Sequence, residues 1–76
     1  MIQSYILGYH NHYIRNVRKT DSGQVEKIMT VYKHDAARIS DLDMARRVHR
    51  ILKTDGEPWN IYRFNSLHGD LEEVKA

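Results

Sequence analysis

Residues 40–56 read SDLDMARRVHRILKTDG, a run that holds a helix start signal, a helical apolar period and a stop signal. Ser40 stands where it can cap the helix, and Asp43, three residues later, completes a capping box. Gly56 supplies the left-handed residue that ends many helices. The run therefore predicts a helix over residues 41–54, around which the rest of the chain is arranged.

This helix is amphipathic. At 100° per residue, one side collects four apolar residues, Leu42, Ala45, Val48 and Leu52. The opposite side is basic and carries Arg46, Arg47, Arg50 and Lys53. A basic stripe of this kind is either a solvated outer face or a docking surface for phosphates or for an acidic protein patch.

Length and composition bound the class of protein. The chain has 76 residues, of which 41% are hydrophobic, and these values predict a single domain over residues 1–76 with a thin core. It has no cysteine, which excludes disulfides and thiolate metal sites, fits a reducing compartment and modestly favours a homodimer. No apolar run reaches the ~20 residues of a membrane span, and residues 1–10 lack a signal-peptide pattern. We therefore expect a cytoplasmic protein that has no contact with a membrane.

Charge is distributed unevenly along the chain. Residues 10–53 hold ten basic and five acidic residues, a net of +5, whereas residues 54–76 hold two basic and five acidic residues, a net of −3. The formal net charge of +2 is low for a dedicated nucleic-acid binder. The balance leaves nucleic acid open as a partner and favours an acidic protein or nucleoprotein surface at least as strongly.

Extended segments surround the helix. Residues 2–19 are rich in Tyr, Ile and Val, and Gly8 marks either a bulge in one strand or a turn between two. The residues Asp21-Ser22-Gly23 predict a hairpin turn between strands at 13–19 and 24–33. A further strand is predicted at residues 57–65, where the aromatic residues Trp59, Tyr62 and Phe64 lie.

Together these elements predict an α+β fold. We expect a small antiparallel sheet of three to four strands, built from a β-hairpin or β-meander, then the helix, then a further strand, with the helix packed on one face. Residues 66–76 predict either a short helical turn or a frayed acidic tail.

Signatures of catalysis and of cofactors are missing from the sequence. It has no nucleophile elbow and no phosphate-binding glycine loop, so we expect neither an enzyme nor a cofactor. His10 and His12 lie two apart, as zinc ligands on a strand can, but this spacing arises easily in a chain with five histidines. The sequence therefore predicts no metal site, and a small metal-dependent nuclease is the weakest functional alternative.

Binding is the function that the residue pattern favours. Besides the basic side of the helix, the hairpin offers the candidate contact residues Tyr13, Arg15, Arg18 and Lys19. Tyrosine and arginine are common in protein-binding hot spots, and they also stack on and neutralise nucleic acid. A small sheet followed by a helix resembles the layout of plant ethylene-response and phage-integrase arm domains, which implies DNA reading by the sheet.

The preferred hypothesis is a non-enzymatic protein that docks on a protein or nucleoprotein partner, in the manner of a phage-type inhibitor that occludes host machinery. The aromatic residues of the strands predict either the core of the sheet or an exposed surface for stacking bases. A DNA- or RNA-binding domain that uses the basic helix side or the basic hairpin is the alternative.

Overall fold

The computed structural model describes residues 3–75 of the chain. The elements of that part are β1 Gln3–Tyr9, β2 His12–Lys19, β3 Val25–Thr30, α1 Leu42–Leu52, β4 Asn60–Asn65 and β5 Asp70–Val74. The strands form one antiparallel sheet in the order β3-β2-β1-β4-β5. The predicted α+β class is confirmed, and the described part of the sheet has five strands rather than three to four.

The start of α1 is set by its connection to β1. Ile39 exchanges two backbone hydrogen bonds with Tyr5, of 2.7 and 2.8 Å, so the chain stays extended up to this point. The helix then begins after Asp41, whose carboxylate accepts the backbone N–H of Asp43 at 3.1 Å. The prediction of Ser40 as the cap is therefore wrong by one residue, because the bridge to β1 delays the turn into the helix.

The end of α1 follows the prediction. A single 3₁₀ turn, Lys53–Asp55, continues the helix, and Gly56 closes it in the left-handed conformation with φ of 78°. The backbone N–H of Gly56 donates to the Lys53 carbonyl at 3.1 Å. A glycine suits this position because it has no Cβ to oppose a positive φ.

Strands β1 and β2 are paired only beside the turn that joins them. Residues 8–9 of β1 pair with residues 12–13 of β2, and residues 37–39 then lie between the two strands. There the backbone N–H of Ala37 donates to the Ile14 carbonyl at 2.8 Å. The β2–β3 hairpin is thereby separated from β1 beyond Ile14.

We call residues 15–28 of this hairpin the arm. Its base is a bulge, since the register between β2 and β3 shifts between Ile14 and Asn16 and leaves Arg15 unpaired. A bulge bends a strand and increases its twist, so the strand direction changes at the base of the arm. Its tip is the predicted turn, in which Gly23 has φ of 84° and the N–H of Thr20 donates to the Gln24 carbonyl at 2.8 Å.

The sheet is packed on both faces. The larger core lies under α1 and is made of Leu7, Ile14, Ala45, Leu52, Trp59 and Ile61. The smaller core lies on the opposite face and is made of Ile6, Tyr13, Ala36 and Phe64. Neighbours such as Ile6 and Leu7 belong to different cores because successive side chains of a strand point to opposite faces.

Residues 33–38 cover the face of the sheet that α1 does not reach. The ring of His34 packs edge-on against Phe64 at 5.2 Å, and the Arg38 guanidinium lies 5.6 Å from the same ring. The Lys33 ammonium donates to the Gly69 carbonyl at 2.6 Å and so ties this segment to the β4–β5 turn. The helix covers one face of the sheet as predicted. The cover of the opposite face by residues 33–38 was not predicted from the sequence.

The question of a bulge or a turn near Gly8 is resolved in favour of a turn. The turning residues are His10 and Asn11, which have φ of 49° and 64°, whereas Gly8 lies inside β1. A Cβ on Gly8 would lie 2.2 Å from the His12 carbonyl oxygen and 2.8 Å from the Tyr13 ring. Glycine is therefore required here by the close approach of β2, not by its own dihedral angles.

The tail contains a strand, so both sequence-based alternatives for residues 66–76 are wrong where the structure describes it. Strand β5 pairs with β4 from Asp70 opposite Asn65 to Val74 opposite Ile61. Leu71 and Val74 are three apart, which imitates a helical period, but β4 offers an unpaired edge that the tail can join. Arg63 of β4 further attracts the acidic strand.

We expect Gly8→Ala to lower the free energy of unfolding by more than about 2 kcal/mol, because the new methyl group overlaps backbone that cannot move without breaking the β1–β2 turn. Urea unfolding followed by circular dichroism measures the change. The exposed turn variant Gln24→Ala is the control and should stay within about 0.5 kcal/mol of the parent protein. Equal unfolding midpoints for Gly8→Ala and the parent would contradict the close approach of β2.

Candidate binding surface

The basic side of α1 is exposed as the sequence predicts. Arg46, Arg50 and Lys53 lie at intervals of four and three residues and line, together with His49, a depression of about 260 Å³. The nearest acid with an ion pair here is Asp43, whose carboxylate is 4.0 Å from the Arg46 guanidinium. The structure thus brings three predicted site residues together with little neutralisation of their charge.

His49 is the floor of this depression and is buried, with 7% of its surface exposed. Its Nε2 lies 2.7 Å from the backbone carbonyl of Trp59, and the nitrogen donates because a carbonyl oxygen can only accept. This bond fixes α1 to the residue that precedes β4. Sequence spacing places His49 at the edge of the apolar side, so its anchoring role could not be distinguished from that of a surface histidine.

The fourth predicted helix residue, Arg47, is exposed on a different part of the helix. It lies one turn before Ile51, and 64% of the Ile51 surface is exposed. Arg47 therefore borders an apolar strip rather than the depression around His49.

Arg15, Arg18 and Lys19 are exposed on the arm and do not join the basic side of α1. Arg15 is the bulged residue, and Arg18 donates to the carboxylate of Glu26 on the neighbouring strand at 2.7 Å. Lys19 pairs with Val25 in the register of the hairpin. The predicted hairpin site is therefore a weaker cationic surface than its sequence indicates.

Tyr13 is predicted to be a contact residue, but the structure places it in the interior. It is 8% exposed, belongs to the smaller core and packs edge-to-face with Tyr62 at 6.0 Å between ring centres. Burial raises the pKa of its phenol, and the neighbouring Tyr62 adds to that rise. Strand alternation alone cannot identify the buried face when both faces of the sheet are covered.

A second surface feature was missed by the sequence: a groove between the arm and α1. We call this feature the arm groove, and it has a volume of about 330 Å³. The residues that line it are Val17, Val25, Lys27, Val48, Ile51, Leu52 and Thr54. Val17 and Val25 remain 42% and 45% exposed although they are apolar. The sequence contains a partial indication of this groove, because Met44 and Ile51 make the apolar side of the helix wider than packing on the sheet alone requires.

Lys27 lines the arm groove, and its contacts explain why a basic residue interrupts the apolar face of β3. Its ammonium forms an ion pair with Asp55, just beyond α1, and lies 5.8 Å from the centre of the Trp59 ring. The Asp55 carboxylate also accepts the indole N–H of Trp59 at 3.0 Å and the backbone N–H of Glu57 at 2.8 Å. These contacts hold the arm against the end of the helix.

The charges of this junction shift two pKa values. Burial alone would raise the pKa of Asp55, but hydrogen bonds from Lys27, from the Glu57 backbone and from Trp59 outweigh it and leave the pKa below its ordinary value. Tyr9 packs edge-on against Trp59 at 4.6 Å between ring centres. Burial and the nearby carboxylates of Glu57 and Asp55 raise the pKa of Tyr9.

Arg63, in the middle of β4, is engaged by its neighbours. Its guanidinium donates to the Glu72 carboxylate of β5 at 3.2 Å. The pKa of Arg63 is raised by a hydrogen bond with the Tyr5 side chain and by the charge of Glu72. This arginine therefore stabilises the pairing of β1, β4 and β5 rather than adding to the exposed basic surface.

The part of the chain that the structure describes holds no cluster of three or more His, Asp or Glu side chains suited to a metal ion. His10 and His12 lie at the β1–β2 turn, where His12 Nδ1 is 3.0 Å from the His10 carbonyl. Within the same residues, no helix is long and apolar enough to cross a bilayer.

We expect Asp55→Asn to lower the free energy of unfolding by about 1–3 kcal/mol at pH 7, because charge-assisted hydrogen bonds to Lys27 and Trp59 are weakened. The folded pKa of Asp55 lies below its ordinary value of 3.8, so the ionised carboxylate stabilises the fold above that pH. This stabilisation is lost as the pH falls through the pKa that Asp55 has in the folded protein. Urea unfolding from pH 7 to about pH 2 should therefore show the two proteins converging at acid pH.

Asp21→Asn, in the exposed turn at the tip of the arm, is the matched control and should stay within about 0.5 kcal/mol of the parent protein at pH 7. If Asp55→Asn and the parent protein instead give parallel pH curves, the carboxylate of Asp55 does not stabilise the junction in its ionised form.

No protein-family model, no curated protein sequence and no solved structure matches this chain.

Proposed function

We propose that this chain is a non-enzymatic binding domain that docks on an acidic surface of a protein partner through the basic side of α1. The observation that carries the proposal is the exposed cluster of Arg46, Arg50 and Lys53 around the depression above His49. Arginine on a rigid helix suits carboxylate recognition, because its guanidinium offers paired donors in a fixed plane. The helix is rigid here because Ala45, His49 and Leu52 are buried beneath it.

A protein partner fits this surface better than an extended phosphate backbone does. Nucleic-acid interfaces are strongly basic and polar, whereas here Met44 and Ile51 expose apolar surface beside Arg47. A domain of this kind would act by covering the partner's surface, as a small inhibitor does.

The arm supports nucleic-acid binding as the second candidate. A two-stranded ribbon that leaves the sheet has the width to enter a DNA major groove, and Arg15, Arg18 and Lys19 lie along it. Against this candidate, Glu26 already pairs with Arg18. The experiment below therefore treats the arm as the control surface.

We expect the triple change Arg46→Glu, Arg50→Glu and Lys53→Glu to weaken partner binding more than about a hundredfold, since three attractive contacts become repulsive. The immobilised protein is exposed to a lysate of its source cells, and the captured protein is identified by mass spectrometry and titrated. The double change Arg15→Glu and Arg18→Glu is the control on the arm and leaves Lys19 in place.

Two results would overturn the proposal: retention of the partner by the helix variant, or loss of capture after nuclease treatment of the lysate. Loss of binding in the arm variant alone, with a steep dependence on salt, would support the nucleic-acid candidate instead. Thermal melting of each variant confirms that it is folded before its binding is compared.

A further inference from the structure

Within residues 3–75, the part of the sheet formed by the arm has no helix packed on its α1-side face. Helix α1 packs over β1 and β4, where Ala45 and Leu52 meet Leu7 and Ile61. Strands lie about 4.8 Å apart and a helix is about 10 Å wide, so one helix covers about two strands. The α1-side face of the arm is therefore left without a cover, and its apolar side chains are open to solvent.

Both walls of the arm groove present apolar side chains. On the arm, Val17 and Val25 share the α1-side face with Lys27, as their pairing register requires. On the helix, Val48 and Ile51 line the groove. Met44 precedes Val48 by one turn and extends the exposed apolar strip along α1. A groove with one helical wall and one β wall is suited to an amphipathic helix laid parallel to α1.

The rim of the arm groove is basic. Lys19 lies opposite Val25 on the α1-side face of the arm, and Arg47 borders Ile51 on the helix. Neither side chain forms an ion pair with another residue in the range 3–75. Asp55, which follows the lining residue Thr54, is neutralised by Lys27. An occupant with acidic residues flanking its apolar stripe would complement this rim.

We propose that the arm groove binds an amphipathic helix of a partner protein, with apolar residues seated between the arm and α1 and with acidic residues facing Lys19 and Arg47. The proposal rests on the proposed function, in that the partner is a protein, and it adds the kind of element that the partner supplies. A second copy of this chain is a poor occupant, because its own α1 would bring Arg47 and Arg50 against the basic rim.

The test uses a displayed library of helical peptides, each about 14 residues and so roughly 21 Å long. The peptides keep leucine at a fixed i, i+3, i+4, i+7 stripe, and the flanking positions are randomised. Selection on the intact protein should enrich Asp and Glu at those flanks. Amide and methyl shift changes on addition of a selected peptide should centre on Val17, Val25 and Ile51.

Ile51→Glu should weaken a selected peptide at least about tenfold, because it places a charge in the apolar wall and beside acidic flanks. The matched control is Leu67→Glu, an equally exposed apolar residue in the β4–β5 turn that should change affinity by less than about twofold. Enrichment of neutral or basic flanks, absence of any binder, or equal binding by Ile51→Glu would overturn the proposal. A concentration-dependent dimer that Ile51→Glu dissolves would overturn it in favour of a second copy.

Failure of this proposal can be told apart from failure of the proposed function. The helix variant with Arg46, Arg50 and Lys53 changed to Glu keeps the arm groove intact, so it should still bind the selected peptides. If lysate capture depends on those three residues while the library yields no binder, only the groove proposal falls. If peptides bind the groove while lysate capture is insensitive to the three residues, only the docking through the basic side of α1 falls.

Discussion

The architecture depends on the backbone hydrogen bonds that residues 37–39 make between β1 and β2. Through Ala37 and Ile39 the connection occupies the place that β2 would otherwise take beside β1. Buried backbone groups must be paired, so the inserted segment satisfies both strands and at the same time separates them. The arm, the late start of α1 and the groove between them all follow from this insertion.

The insertion also explains how so small a chain covers both faces of its sheet. The segment that leaves β3 crosses the sheet before it reaches α1, and on the way Ala36 and Arg38 pack against the face opposite the helix. The helix then needs to shield only one core. A chain of 76 residues thus buries Phe64 and Ile61 on opposite sides of the same strand.

Local signals predicted the parts of the fold that depend on local chemistry. The periodicity of α1, the glycine at its end and the turn at Gly23 are all properties of short segments, and the structure confirms them. Parts that depend on distant partners were not predictable. The edge of β4 and the charge of Arg63 recruit β5. Asp55, 28 residues away, accounts for Lys27 in an otherwise apolar face. The candidate site follows the same rule. The basic side of α1 is predictable from the helical period, whereas the arm groove exists only because two separate elements meet. Tyr13 is buried only because residues 33–38 cover its face.

The single tryptophan of the chain has a consequence for spectroscopy. The Trp59 indole is buried where the arm, the end of α1 and the start of β4 converge, within reach of an ammonium, a carboxylate and a phenol. Indole emission responds to nearby charge and to water, and no second indole contributes to the signal. The protein therefore carries an intrinsic fluorophore where the arm contacts the end of α1, and its emission should report on the contacts among Lys27, Asp55 and Trp59 without any label.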